Sequence, residues 1–68
     1  METIDIVING QPVKANARRL DVLLSEFSYE GDWLATAVNG ELIRREERVS
    51  FVLSDGDRVE ILSPMQGG

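Results

Sequence analysis

The residues best suited to do chemistry stand last in the chain. SPMQGG closes on Gly67 and Gly68, directly after DRVEIL, a run that reads as a strand. Glycine has no side chain to bury and loses the most backbone entropy on ordering, so the pair adds little to a core. What it offers is a slender end bearing a carboxylate. Pro64 disfavours helix for the residue before it, which gives a semi-extended strap. Glycine permits close backbone approach, so such an end can thread a narrow channel in another protein. A terminal carboxyl with a pKa of roughly 3.3–3.7 is an unreactive anion at neutral pH. Acyl chemistry at Gly68 therefore requires activation from outside, most economically as a mixed anhydride with a nucleotide. On this reading the domain is a carrier and its partners are the catalysts. The ordinary alternative is a frayed terminus.

Other groups offer less. The 68 residues include no cysteine and no histidine, which removes disulfides, thiolate metal sites, a cysteine nucleophile and the commonest general base. Asp55-Gly56-Asp57 lacks the further oxygen ligands of a calcium loop and reads as a tight turn; no metal site is expected. Glu46, Glu47, Asp55 and Asp57 suit solvated turns better than an acid/base pair, since so small a body has no room for a cleft. Neither Asn-Gly pair sits in a glycine-rich phosphate loop. Trp33, the one tryptophan, is expected at the rim of the core. Lys14 is the one lysine, and nothing in the sequence gives it a chemical task.

Composition narrows the setting. A chain of this length holds one domain and buries about 60% of the surface its unfolded form exposes. The net charge of −5 argues against a nucleic-acid partner, which wants a basic patch, and suits either plain solubility or encounter with a basic protein surface. No run approaches a membrane span, and METIDIV lacks the basic and long apolar regions of an export leader. A reduced, cytoplasmic setting is the expectation.

The elements that must position the end follow from periodicity. Ile4, Ile6 and Ile8 alternate as in a half-buried strand; Asn9-Gly10 is a hairpin signal, and QPVKA returns at a sheet edge, where Pro12 is tolerated. Leu20, Leu23, Leu24 and Phe27 form one helical stripe, with Asn16 as the expected cap and Gly31 as the expected stop. WLATAVNGELI is extended around a second turn, Asn39-Gly40. Arg44 to Arg48 read as a solvated turn or short helix, after which Val49, Phe51 and Leu53 alternate into the core. RVEIL closes the sheet through Val59 and Ile61, with Leu62 at its end. The class is α+β, a mixed sheet packed on one main helix. If the first and last strands lie side by side they run parallel, the helix supplying the crossover; that arrangement is the β-grasp, or ubiquitin-like, fold. Residues 1–62 are assigned to this domain and 63–68 to a flexible tail.

The order of IVING, LDVLLSEF, AVNGELIRRE and LSDGDRVEILSPMQGG resembles the ThiS-type sulfur carriers, within the ThiS/MoaD group of ubiquitin-like carriers. The likeness covers most of the chain; its most telling part is the terminal Gly-Gly. It departs at RREER, where members often have a proline at the position of Arg44 and a tryptophan at that of Arg48. The resemblance implies that a ThiF-like adenylyltransferase uses ATP and magnesium to adenylate Gly68, and that a cysteine-derived persulfide converts the adenylate to a thiocarboxylate. It further implies that a ThiG-like thiazole synthase receives the sulfur for thiamine. The chain itself would bind no cofactor and would not be an enzyme. Gly67, Gln66 and Met65 would thread the partners' channels, and Leu62 with Met65 would belong to the partner surface. Three alternatives share the fold: the small subunit of a molybdopterin synthase or another MoaD-like carrier, a ubiquitin-like protein modifier, and a plain interaction domain.

Overall fold

The computed structural model describes residues 3–29 and 34–62. Its elements are β1 (Ile4–Ile8), β2 (Gln11–Ala15), α1 (Leu20–Glu26), β3 (Ala35–Val38), β4 (Glu41–Ile43), a 3₁₀ helix (Arg45–Ser50) and β5 (Arg58–Leu62). The strands form one sheet in the order β2-β1-β5-β3-β4. β1 pairs with β2 and β3 with β4 as antiparallel hairpins. β5 enters between them, parallel to β1 and antiparallel to β3. This is the mixed β-grasp sheet expected from the sequence, with the first and last strands side by side at its centre.

Both hairpins turn on Asn-Gly with positive φ at each residue: 50° and 85° at Asn9-Gly10, 52° and 85° at Asn39-Gly40. These angles match the twist that two-residue hairpins need. Pro12 lies on β2, an edge strand, as its missing N–H requires. Alternation places Ile4, Ile6 and Ile8 of β1 and Val59 and Ile61 of β5 on the inner face, where they meet Leu20, Leu23 and Leu24 of α1. Ile4, Ile6, Leu20, Leu23, Leu53 and Val59 are all under 2% exposed, so one helix covers the sheet's inner face.

Several local expectations are corrected. The helix is shorter than the span expected between Asn16 and Gly31, and at its start the residues before Leu20 are used elsewhere. The Leu53 N–H donates to the Arg18 carbonyl, the Leu20 N–H donates to that of Phe51, and Arg19 bridges Val52. Asn16 is therefore not the helix cap; that position falls to Arg19, which makes no side-chain capping bond. The helix also stops before Gly31. Ser28 takes the left-handed conformation with φ 66°; its N–H donates to the Ser25 carbonyl and that of Tyr29 to the Leu24 carbonyl. Those two bonds constitute a Schellman motif, with serine where glycine is usual.

Arg48 is not solvated but 7% exposed, and Val49, expected in the core, is 55% exposed. A 3₁₀ helix repeats every three residues, so the turn of Arg45–Ser50 carries Arg48 inward and Val49 outward. No helix among the described residues is long and apolar enough to cross a membrane.

Candidate functional site

Met65, Gln66, Gly67 and Gly68 lie outside the described residues, as do the boundary between domain and tail and the position of Trp33. The site is described up to its point of departure, the end of β5. That strand delivers Leu62 to the outer face of the sheet, opposite Ala35 of β3 and 68% exposed. Two residues along β3, Ala37 faces Leu42 of the edge strand β4, which is 65% exposed. Successive outward residues on a strand share a face. Leu62, Ala35, Ala37 and Leu42 therefore form a diagonal apolar strip running from the exit of β5 to the edge of the sheet. The Leu62 part was legible in the sequence. Leu42 was missed, although its place in ELI, between Glu41 and buried Ile43, makes it outward by alternation.

The departure point is held firmly. In an antiparallel pair alternate residues exchange both backbone bonds. The Asn39 N–H donates to the Arg58 carbonyl at 2.7 Å, which sets the phase so that Arg58, Glu60 and Leu62 bond to β3. Val59 and Ile61 then present their backbone groups to β1. The Val59 carbonyl accepts from the Asn9 N–H at 2.9 Å. For Ile61 the partner is the side chain of Asn9: Oδ1 accepts the Ile61 N–H at 2.8 Å and Nδ2 donates to the Ile61 carbonyl at 3.1 Å.

The remaining polar groups serve the scaffold. Asp55 Oδ1 accepts the Asp5 N–H at 2.8 Å, Asp57 Oδ2 accepts the Ser54 N–H at 2.8 Å, and Glu47 accepts the Arg44 N–H at 2.9 Å. Expected simply as solvated turn residues, Asp57 and Glu47 accept locally within their turns and Asp55 ties its turn to β1; Gly56, between Asp55 and Asp57, has φ 89°. Lys14 Nζ lies 2.8 Å from Asp5 Oδ1, and that hydrogen bond with the adjacent charge raises the lysine pKa. Among the described residues no three potential ligands cluster about a metal position.

Arg48, at the position where ThiS-type carriers often have tryptophan, fills its place with a guanidinium held by neutral acceptors. Its Nε donates to Thr36 Oγ1 at 3.2 Å and Nη2 to the Leu34 carbonyl at 2.7 Å, while Thr36 Oγ1 donates in turn to the Ile43 carbonyl at 2.9 Å. A long aliphatic stem can pack like an apolar side chain provided its polar head is bonded.

Fold and exit together define a ubiquitin-like β-grasp domain whose central strand leads out to a short glycine-ended segment. The ThiS family model matches residues 4–68, and the chain belongs to that family, the ThiS-type sulfur carriers. Among solved structures it is similar to the thiamine biosynthesis protein ThiS from Geobacter metallireducens. The two are 29% identical with a TM-score of 0.78, over 96% of this chain and 100% of that one. No curated protein matches it.

Proposed function

We propose that this chain carries sulfur for thiamine biosynthesis on the carboxyl of Gly68, and that it acts as a co-substrate rather than an enzyme. The observation that carries the reading is the family match, which runs through Gly67 and Gly68. The likeness to a thiamine biosynthesis protein along nearly its whole length supports the choice of pathway.

In this reaction the Gly68 carboxylate attacks the α-phosphorus of ATP on a ThiF-like adenylyltransferase with magnesium, releasing pyrophosphate and leaving an acyl adenylate. The terminal sulfur of a cysteine-derived persulfide attacks the acyl carbon and expels AMP. A thiol then cleaves the sulfur–sulfur bond reductively, leaving Gly68 as a thiocarboxylate. Transfer of that sulfur to the substrate held by a ThiG-like thiazole synthase breaks the acyl carbon–sulfur bond, and an oxygen from the acceptor or from water takes its place and restores the carboxylate. Gly67, Gln66 and Met65 thread the channels of both partners, while Leu62, Met65 and the Leu42 end of the apolar strip meet the surface around each channel. The cytoplasm, where thiols stay reduced, is the setting that suits a thiocarboxylate.

The test is ATP-dependent pyrophosphate release by a ThiF-type enzyme with this chain as co-substrate. Deleting Gly68 is expected to abolish release while leaving the circular dichroism and Tm of the domain unchanged, since the buried core among the described residues runs from Ile4 to Ile61. Release that survives the deletion would sink the proposal.

A further inference from the structure

We infer that Asn9 is a positioning residue for the working end: its side chain substitutes for the missing continuation of β1 and fixes the direction in which β5 delivers the tail. The inference rests on the proposed function for what the tail does, and on geometry for how the end of β5 is held.

β1 runs beside β5 only as far as the register Ile8 to Val59, because the chain turns back at Asn9-Gly10. Beyond that point a parallel neighbour would have supplied one acceptor and one donor to Ile61. Without it, both backbone groups of Ile61 would face the β1 side unpaired, at the place where the strand must hold its course. The primary amide of Asn9 carries one acceptor and one donor at nearly the spacing of a peptide group, and it meets both at 2.8 and 3.1 Å. The bond closes across 52 residues of sequence, so it ties the first turn of the domain to its last described strand. Ile61 immediately precedes Leu62, where the exposed strip begins.

The second Asn-Gly turn provides an internal contrast. Asn39 Oδ1 accepts the Arg58 N–H at 2.9 Å and its Nδ2 donates to Asp57 at 3.0 Å. Its donor thus goes to the Asp57 carboxylate, not to a backbone carbonyl, and the bracket holds the entry of β5, at the other end of the strand. The two turns have nearly the same backbone angles, so replacing either asparagine by glycine removes a bracket while preserving a conformation that glycine adopts freely.

Three variants separate positioning from stability: Asn9→Gly, Asn9→Asp, which keeps the shape but loses the donor, and Asn39→Gly as the control. Each is read by Tm, by amide hydrogen exchange at Ile61, and by KM and kcat for adenylation by a ThiF-type enzyme. Asn9→Gly is expected to speed exchange at Ile61, whereas Asn9→Asp keeps the acceptor for that N–H and loses only the bond to the Ile61 carbonyl. Both are expected to raise KM about three- to tenfold, the scale of one or two net hydrogen bonds lost from a pre-set docking geometry. Their kcat stays at the wild-type value, because the bond acts on docking and not on the acyl transfer. Asn39→Gly is expected to leave KM and Ile61 exchange unchanged at a similar cost in Tm. Wild-type KM in the Asn9 variants, or an equal rise in Asn39→Gly, would overturn the inference while leaving the carrier function intact. A wild-type chain that no ThiF-type enzyme adenylates would overturn both.

Discussion

Glu26 shows how one carboxylate can set the entry to a helix from its far end. Its oxygens accept the Asn16 N–H at 3.0 Å, the Ala17 N–H at 3.0 Å and the Asn16 side-chain amide at 3.1 Å. Burial alone would raise its pKa, but these donors outweigh burial and hold it below the ordinary glutamate value. A carboxyl whose pKa is lower in the folded chain binds protons more readily when unfolded, so it stabilises the fold above the unfolded pKa. That contribution fades as pH falls below the ordinary value of 4.5 and is gone below the depressed folded one. Glu26→Gln is expected to cost about 1 kcal/mol at pH 7, a figure for solvent-screened hydrogen bonds. The cost should disappear in acid. A difference between the two proteins that stays constant from pH 7 to 3 in chemical denaturation would contradict this role. Sequence could not reveal it: Asn16 was the natural helix cap by type and place, and only the pairing of Arg18 and Arg19 with residues 51–53 shows why the helix begins later. Arg48 was hidden for a related reason, since a run of charged residues reads as solvated until its turn type is known.

At the scale of the element, α1 ends by strain as well as by design. Ser28 occupies a left-handed position that disfavours a side chain with a Cβ, yet the two Schellman bonds hold it there. Ser28→Gly is expected to raise stability by about 0.5–1 kcal/mol, net of the added freedom of glycine in the unfolded chain. That gain corresponds to a Tm higher by about 2–8 °C. A lower Tm would mean that the serine hydroxyl contributes something the backbone bonds do not reveal. Strands were more legible than this helix. β1, both Asn-Gly hairpins and the inward Val59 and Ile61 follow from period-two alternation and from a turn type that few residue pairs satisfy. The helix stripe gave the buried face correctly, but its ends depend on contacts with distant segments.

At the scale of the molecule, a small core supports an exposed apolar strip that begins at Leu62, the last described residue. Leu42 and Leu62 are at least 65% exposed, so replacing either by Asp should change folding stability by no more than about 0.5 kcal/mol. If the strip meets the rim of a partner's channel, each change should weaken binding to a ThiF-type enzyme by roughly tenfold or more. Unaltered binding by both variants would remove the strip from the interface. The β-grasp order was readable because each hairpin and the crossover followed from local signals. The family was readable mainly through the Gly-Gly end and the resemblance it completes. The bracket at Ile61 was not, since an Asn-Gly pair announces a turn and says nothing of where the asparagine amide will point.

The most direct measurement is the intact mass of the chain taken from its own cells under demand for thiamine, with and without alkylation of sulfur nucleophiles. The account predicts a fraction heavier by the exchange of one oxygen for sulfur, located at Gly68 and consumed by the alkylating reagent. A chain that keeps its unmodified mass while thiamine is being made would contradict the claim that this protein carries sulfur.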